Sequence, residues 1–277
     1  GRSRQGPPGV CRVWRGPVRR DGGWTALDDD DTTLVAFLRL NEARSWDDFT
    51  EALTLFTVPA QNFVYGDVDG HIGYYAPGHV PIRARGDGSS PAAGWTGEDE
   101  WVGWVPFAEL PHVLDPAEHL IVTANNRPAG GDYGHFITND YPEPYRAQRI
   151  TDRLRALAPR TITPDDFRAI QADTFSPHAQ VLVPLLLQHE AAMSPDARAA
   201  LAPLRTWNFD ASADSAAAAL FEAWFLELAP ALVGDELGPA ATDAYGGRFS
   251  AITRVVTAAL TDPSASRWCD DIGTPAQ

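Results

Sequence analysis

Residues 62–75 run Asn62-Phe63-Val64-Tyr65-Gly66-Asp67-Val68-Asp69-Gly70-His71-Ile72-Gly73-Tyr74-Tyr75. Aromatic and β-branched side chains fill both arms, and the Gly/Asp cluster between them supplies turn residues. The stretch is therefore predicted to fold as a β-hairpin. Working outward, further short strands are expected at residues 10–14, 101–105 and 120–123. One helix interrupts them. Ser45 offers an N-cap with Asp48 three residues on, and Trp46, Phe49, Leu53 and Phe56 then recur at helical spacing. Residues 83–99 form a Gly/Pro/Ser-rich loop.

Beyond residue 145 the pattern changes. Residues 146–157 have helical character, and Thr163-Pro164-Asp165-Asp166 combines an N-cap, a proline in the first helical turn and acids near the positive helix end. Ser194-Pro195 opens another helix, and residues 212–228 and 249–260 supply two more. The expected fold class is α+β. Residues 1–145 make a β-rich core portion with one helix, and residues 146–277 a mainly helical portion of the same domain, so that helices cover a sheet.

The net charge is −15, and all 22 basic residues are arginine. An acidic chain repels phosphate backbones, so no nucleic-acid partner is expected. No run of eighteen apolar residues is present, so neither is a membrane-spanning helix. Without lysine there is no Schiff base, no Walker-type phosphate loop and no serine–lysine dyad. Arginine-only basicity beside abundant alanine reflects the base composition of a genome. Cys11 and Cys269 allow a mutual disulfide, partners outside the chain, or free thiols, and no metal-type CxxC spacing occurs. The opening at Gly1 has neither an initiator methionine nor the apolar core of a signal peptide, so a processed product or a piece of something longer is expected.

Chemistry concentrates in Val122-Thr123-Ala124-Asn125-Asn126-Arg127-Pro128 and in the helix start Pro144-Tyr145-Arg146. A carboxamide at a strand end can donate its NH2 hydrogens to a developing oxyanion, and a guanidinium can orient that amide without losing its charge. Such a pair suits acyl transfer, although asparagine at a strand end is also an ordinary turn residue. Other clusters have simpler readings. The acidic run at residues 28–31 is expected to be a solvated loop, and Asp67, Asp69 and His71 to be turn chemistry rather than ligands. The histidines are scattered singly, without zinc-site spacing, and no Gly-x-Ser-x-Gly elbow exists. Trp24, Trp95, Trp101 and Trp104 are expected to be half-buried core and loop anchors; a carbohydrate platform is the alternative.

Several segments together resemble the penicillin acylase (penicillin amidase) family of N-terminal-nucleophile hydrolases. They are LVAFLRLNEARSWDDFTEAL, VPAQNFVYGDVDGHIGYYAPGHVPIR, PAAGWTGEDEWVGWVPFAELP, VTANNRP and PYRAQRITDRL, in the family's order and at similar spacing. The later Trp268-Cys269-Asp270-Asp271 is also like many members.

The resemblance implies an αββα sandwich and a precursor that cuts itself into two chains, the second beginning with a catalytic serine. The expected function is hydrolysis of an N-acyl amide bond of the penicillin, acyl-homoserine lactone or lipopeptide type. A non-catalytic carbohydrate-binding or structural module is the alternative. Asn125 matches the side-chain oxyanion donor and Arg146 the arginine that orients this part of the site. Phe37 and Gln61 match positions lining the acyl pocket. Gly1 is not the serine, and Arg12-Val13-Trp14-Arg15-Gly16-Pro17-Val18 resembles a segment well inside the catalytic chain. An internal fragment is therefore expected, inactive alone, with the remainder of its own precursor and a small-molecule N-acyl substrate as partners. No cofactor is expected; the calcium found in some members is not supported by the residues around His135. The family implies a periplasmic or extracellular location.

Overall fold

A computed structural model of the chain describes residues 10–15, 18–246 and 249–262. It divides into two compact units, Gly1–Thr123 with Arg127–Asn139, and Ala124–Asn126 with Asp140–Gln277.

In the first unit the predicted hairpin is present. β3 (Phe63–Gly66) and β4 (Ile72–Tyr75) pair antiparallel, Phe63 opposite Tyr75 and Gly66 opposite Ile72. Asp67 Oδ1 closes the turn by accepting from the backbone N–H groups of Asp69 (3.0 Å) and His71 (2.9 Å). β7 (His112–Leu114) pairs with the other edge of β4. Two further antiparallel pairs are β1 (Val10–Arg15) with β2 (Val18–Gly23), and β5 (Pro81–Arg83) with β6 (Trp101–Trp104).

Two helices accompany these strands, not one. The expected helix, α2 (Trp46–Leu53), starts at Ser45, whose hydroxyl accepts from Asp48 N–H at 3.1 Å. The unexpected one is α1 (Thr33–Leu40). Its sequence, Thr33-Leu34-Val35-Ala36-Phe37-Leu38, is apolar almost throughout and hides the helical period. One local and two long-range bonds anchor its start. Asp31 Oδ1 accepts from Thr33 N–H at 2.9 Å and from the Thr57 hydroxyl, and Thr33 Oγ1 donates to Val58 O at 3.1 Å. The acidic run is thus more than a solvated loop: Asp31 ties α1 to the 57–58 segment, and these bonds, led by the one from Thr57, hold its carboxyl below the usual range.

α1 and α2 bury Ala36, Phe49 and Leu53 against Phe56, Tyr75, Val80, Val105 and Leu110. Trp46 lies directly on β4. A Cβ at Gly73 would stand 2.2 Å from Trp46 Cζ3, so only glycine permits the indole to sit there.

Residues 120–123 are not a strand, contrary to expectation. Among the described residues no strand pairs with them, and the backbone turns at both ends, at His119 (φ 50°) and Asn125 (φ 63°). An apolar run without a ladder partner stays irregular.

The second unit is helical: α3 (Tyr145–Leu157), α4 (Pro164–Gln171), α5 (Pro177–Gln188), α6 (Pro195–Ala200), α7 (Ala202–Arg205), α8 (Ala216–Gly246) and α9 (Phe249–Thr261). Thr163 and Asp166 make a reciprocal capping box, and Ser176 and Ser194 cap α5 and α6 before a first-turn proline. α5 was absent from the predicted set because Pro184 interrupts its pattern. Its inner face, Ala179, Leu182, Val183 and Leu186, packs with Leu204, Phe221, Phe225, Ile252 and Val256. α8 breaks at Gly238 (φ 69°), and among the described residues no single helix is long and apolar enough to cross a membrane. Cys269 and the segment 268–271 lie outside the described residues.

Candidate active site

The loop at residues 124–126 divides its two asparagines between separate tasks. Asn126 Oδ1 accepts from Ala124 N–H at 3.0 Å and shapes the turn. Asn125 takes the left-handed conformation (φ 63°), which asparagine tolerates better than most residues, and its side chain is exposed.

Arg146, in the first turn of α3, reaches back to this loop. Its Nη2 donates to Asn125 Oδ1 at 2.7 Å and to Ala124 O at 2.8 Å. A guanidinium has no acceptor, so the amide must turn its oxygen toward Arg146. Asn125 Nδ2 consequently points the other way, with its two hydrogens set to donate. Neither residue is a nucleophile or a base; what the pair offers is a pre-oriented donor for negative charge on oxygen.

α3 is anchored at several points. Arg149 forms two bonds to Asp173 (2.6 and 3.1 Å) and lies 4.2 Å over the Phe175 ring. The Tyr145 ring sits 5.7 Å from that of His178, whose Nε2 meets Thr253 Oγ1 at 3.2 Å. Glu143, just before the helix, pairs with Arg254 Nε at 2.9 Å. Glu143, Tyr145, Arg146, His178, Phe225 and Thr253 are among the residues around a hollow of about 510 Å³. Burial among aromatic rings pushes the His178 imidazole down to about 4.

Asn125 and Arg146 are thus brought together within the second unit. Phe37 and Gln61 belong to the first. Phe37 is about half exposed (47%) on α1 and meets the rings of Phe56 (5.8 Å) and Phe63 (6.2 Å). Gln61 is exposed, and its N–H donates to Pro77 O at 3.3 Å. Trp101 and Trp104 meet edge to face at 5.4 Å, and Trp104 stacks on His79 at 4.7 Å, consistent with anchoring roles. Trp24 and Trp95 are not half-buried anchors, being 56% and 89% exposed. Among the described residues no group of three or more His, Cys, Asp or Glu is assembled to hold a metal; His135 pairs with Glu109 at 2.5 Å.

The model of the penicillin amidase family matches residues 9–277. The chain belongs to that family. Over 121 residues this family member is 47% identical to penicillin acylase 2 proenzyme of a Pseudomonas species, covering 44% of the chain and 15% of the relative. Over 226 residues it is 30% identical to the acyl-homoserine lactone acylase QuiP of Pseudomonas fluorescens, covering 78% of the chain and 28% of the relative. Its fold is that of the thermostable penicillin G acylase from Alcaligenes faecalis: TM-score 0.69 and 21% identity, over 92% of this chain and 55% of that one. The amidase-family chain therefore spans under a third of each of these two curated relatives and about half of the solved chain. The described elements make this an α+β fold with a helical second half.

Sequence patterns pointed to Asn125 and Arg146 but missed their supports. Glu143 with Arg254, and His178 with Thr253, join residues far apart in the chain, and no local pattern announces such pairs.

Proposed function

We propose that this chain is part of the catalytic chain of an acylase that hydrolyses N-acyl amide bonds, of the penicillin, acyl-homoserine lactone or lipopeptide type. The observation that carries this is the Asn125 carboxamide, clamped through its oxygen by Arg146 so that its N–H groups face outward. Family membership and acylase relatives support the reaction class.

In this reading an N-terminal serine on polypeptide outside these 277 residues attacks the amide carbonyl, with its own α-amino group as base. The carbonyl oxygen becomes negative as the tetrahedral intermediate forms, and Asn125 Nδ2 donates to it. Arg146 holds the amide and stays charged throughout. Phe37 lines the apolar side of the acyl pocket and Gln61 a polar position in it. The partners are the remainder of the self-cleaved precursor and a small N-acyl substrate, and the location is periplasmic or extracellular.

The test is acid release from aromatic and fatty N-acyl substrates by the full-length protein. Asn125→Ala is expected to lower kcat by about 10²–10³-fold, the usual effect of removing one oxyanion donor. Near-normal turnover by that variant removes Asn125 from the mechanism. The 277-residue chain alone is expected to release no acid.

A further inference from the structure

We propose that Arg254 is a positioning residue for the oxyanion amide, acting by occupying Glu143 so that Glu143 does not compete for Arg146. The proposal rests on the acylase reading above. Glu143 stands three residues before Arg146, and both line the same hollow. A guanidinium is drawn to a carboxylate by full charge attraction as well as by a hydrogen bond, whereas a neutral amide oxygen lacks the opposite charge. Beside an unpaired Glu143, Arg146 would therefore favour that carboxylate over the amide oxygen of Asn125. Instead, Glu143 Oε1 is engaged by Arg254 Nε at 2.9 Å, and Arg146 Nη2 goes to Asn125 and Ala124. The same turn of α9 braces the start of α3 a second time, through Thr253, His178 and the ring of Tyr145.

The Glu143–Arg254 pair is partly exposed, its side chains 25% and 49% accessible, and such pairs contribute little to overall stability. Its effect is therefore expected in catalysis rather than in folding.

The experiment uses the full-length acylase and measures kcat, KM and thermal midpoint for Arg254→Leu, Arg254→Leu with Glu143→Gln, and Asn125→Ala. Arg254→Leu is expected to lower kcat roughly ten- to hundred-fold, the effect of losing one hydrogen bond to a charged group, with little change in KM or midpoint. Adding Glu143→Gln removes the competing carboxylate and is expected to restore most of kcat. Should Arg254→Leu itself unfold, Arg254→Gln replaces it in the same comparison. Wild-type kcat in the Arg254 variant overturns the proposal, as does a double variant no better than the single. If Asn125→Ala is impaired in either case, the acylase reading survives and only the competition idea falls. If Asn125→Ala turns over normally, both fall.

Discussion

Arg146 Nη2 stands 2.7 Å from Asn125 Oδ1 and shares its bonding with the carbonyl one residue earlier. One nitrogen thereby fixes both the side chain and the backbone of the loop. Because Asn125 is left-handed there, replacing it changes conformation as well as chemistry.

Substitutions at 125 can separate those effects. Asn125→Asp keeps a residue that tolerates positive φ and keeps a partner for Arg146, but has no N–H to offer. Its kcat is expected to fall at least as far as that of Asn125→Ala, about 10²–10³-fold or more. Asn125→Gly, which relieves the backbone, is expected to be equally impaired. Steady-state kinetics showing Asn125→Asp near wild type would mean the shape of the loop matters and the donor does not.

At position 146, lysine retains the charge but not the rigid planar guanidinium that sets Nη2 between the two acceptors. Arg146→Lys is expected to lower kcat roughly ten- to hundred-fold while leaving the thermal midpoint nearly unchanged. Parallel kinetic and melting measurements check this.

The pH dependence of stability should carry a signature of His178. Its pKa lies near 4 in the folded chain and near 6.5 unfolded, so between those values the unfolded state binds more protons. Stability is then expected to fall as pH drops from about 6.5 towards 4, and His178→Gln is expected to flatten that slope. Carboxylates held low, such as Asp31 and Asp173, lose their contribution only at lower pH. Urea midpoints for both proteins at pH 7 and pH 5 measure the difference.

In the first unit, Gly73→Ala would drive a methyl into Trp46. A loss of about 1–3 kcal/mol is expected, the usual range for overpacking, and should appear in denaturant midpoints. Pairing it with Trp46→Leu should recover part of that loss.

How far these features could be foreseen depended on how local their causes are. The hairpin was legible because alternation and an Asp-Gly turn act within fourteen residues. The helices opened by Thr163-Pro164 and Ser194-Pro195 were legible for the same reason. α1 was not, since its start is fixed by Thr57 and Val58 from a later segment. α5 hid behind Pro184, and residues 120–123 looked like a strand because an apolar run does not reveal whether a partner exists. At the site, Asn125 and Arg146 stood out by type and family likeness. The grip on Ala124 O and the engagement of Glu143 by Arg254 depend on tertiary placement.

Trp95 projects its indole into solvent from the loop between β5 and β6, 89% exposed. A collisional quencher such as iodide therefore has direct access to that ring. Taking the emission difference between the chain and a Trp95→Phe variant isolates its signal from the other tryptophans. The loop thus carries its own optical gauge of whether anything settles over it.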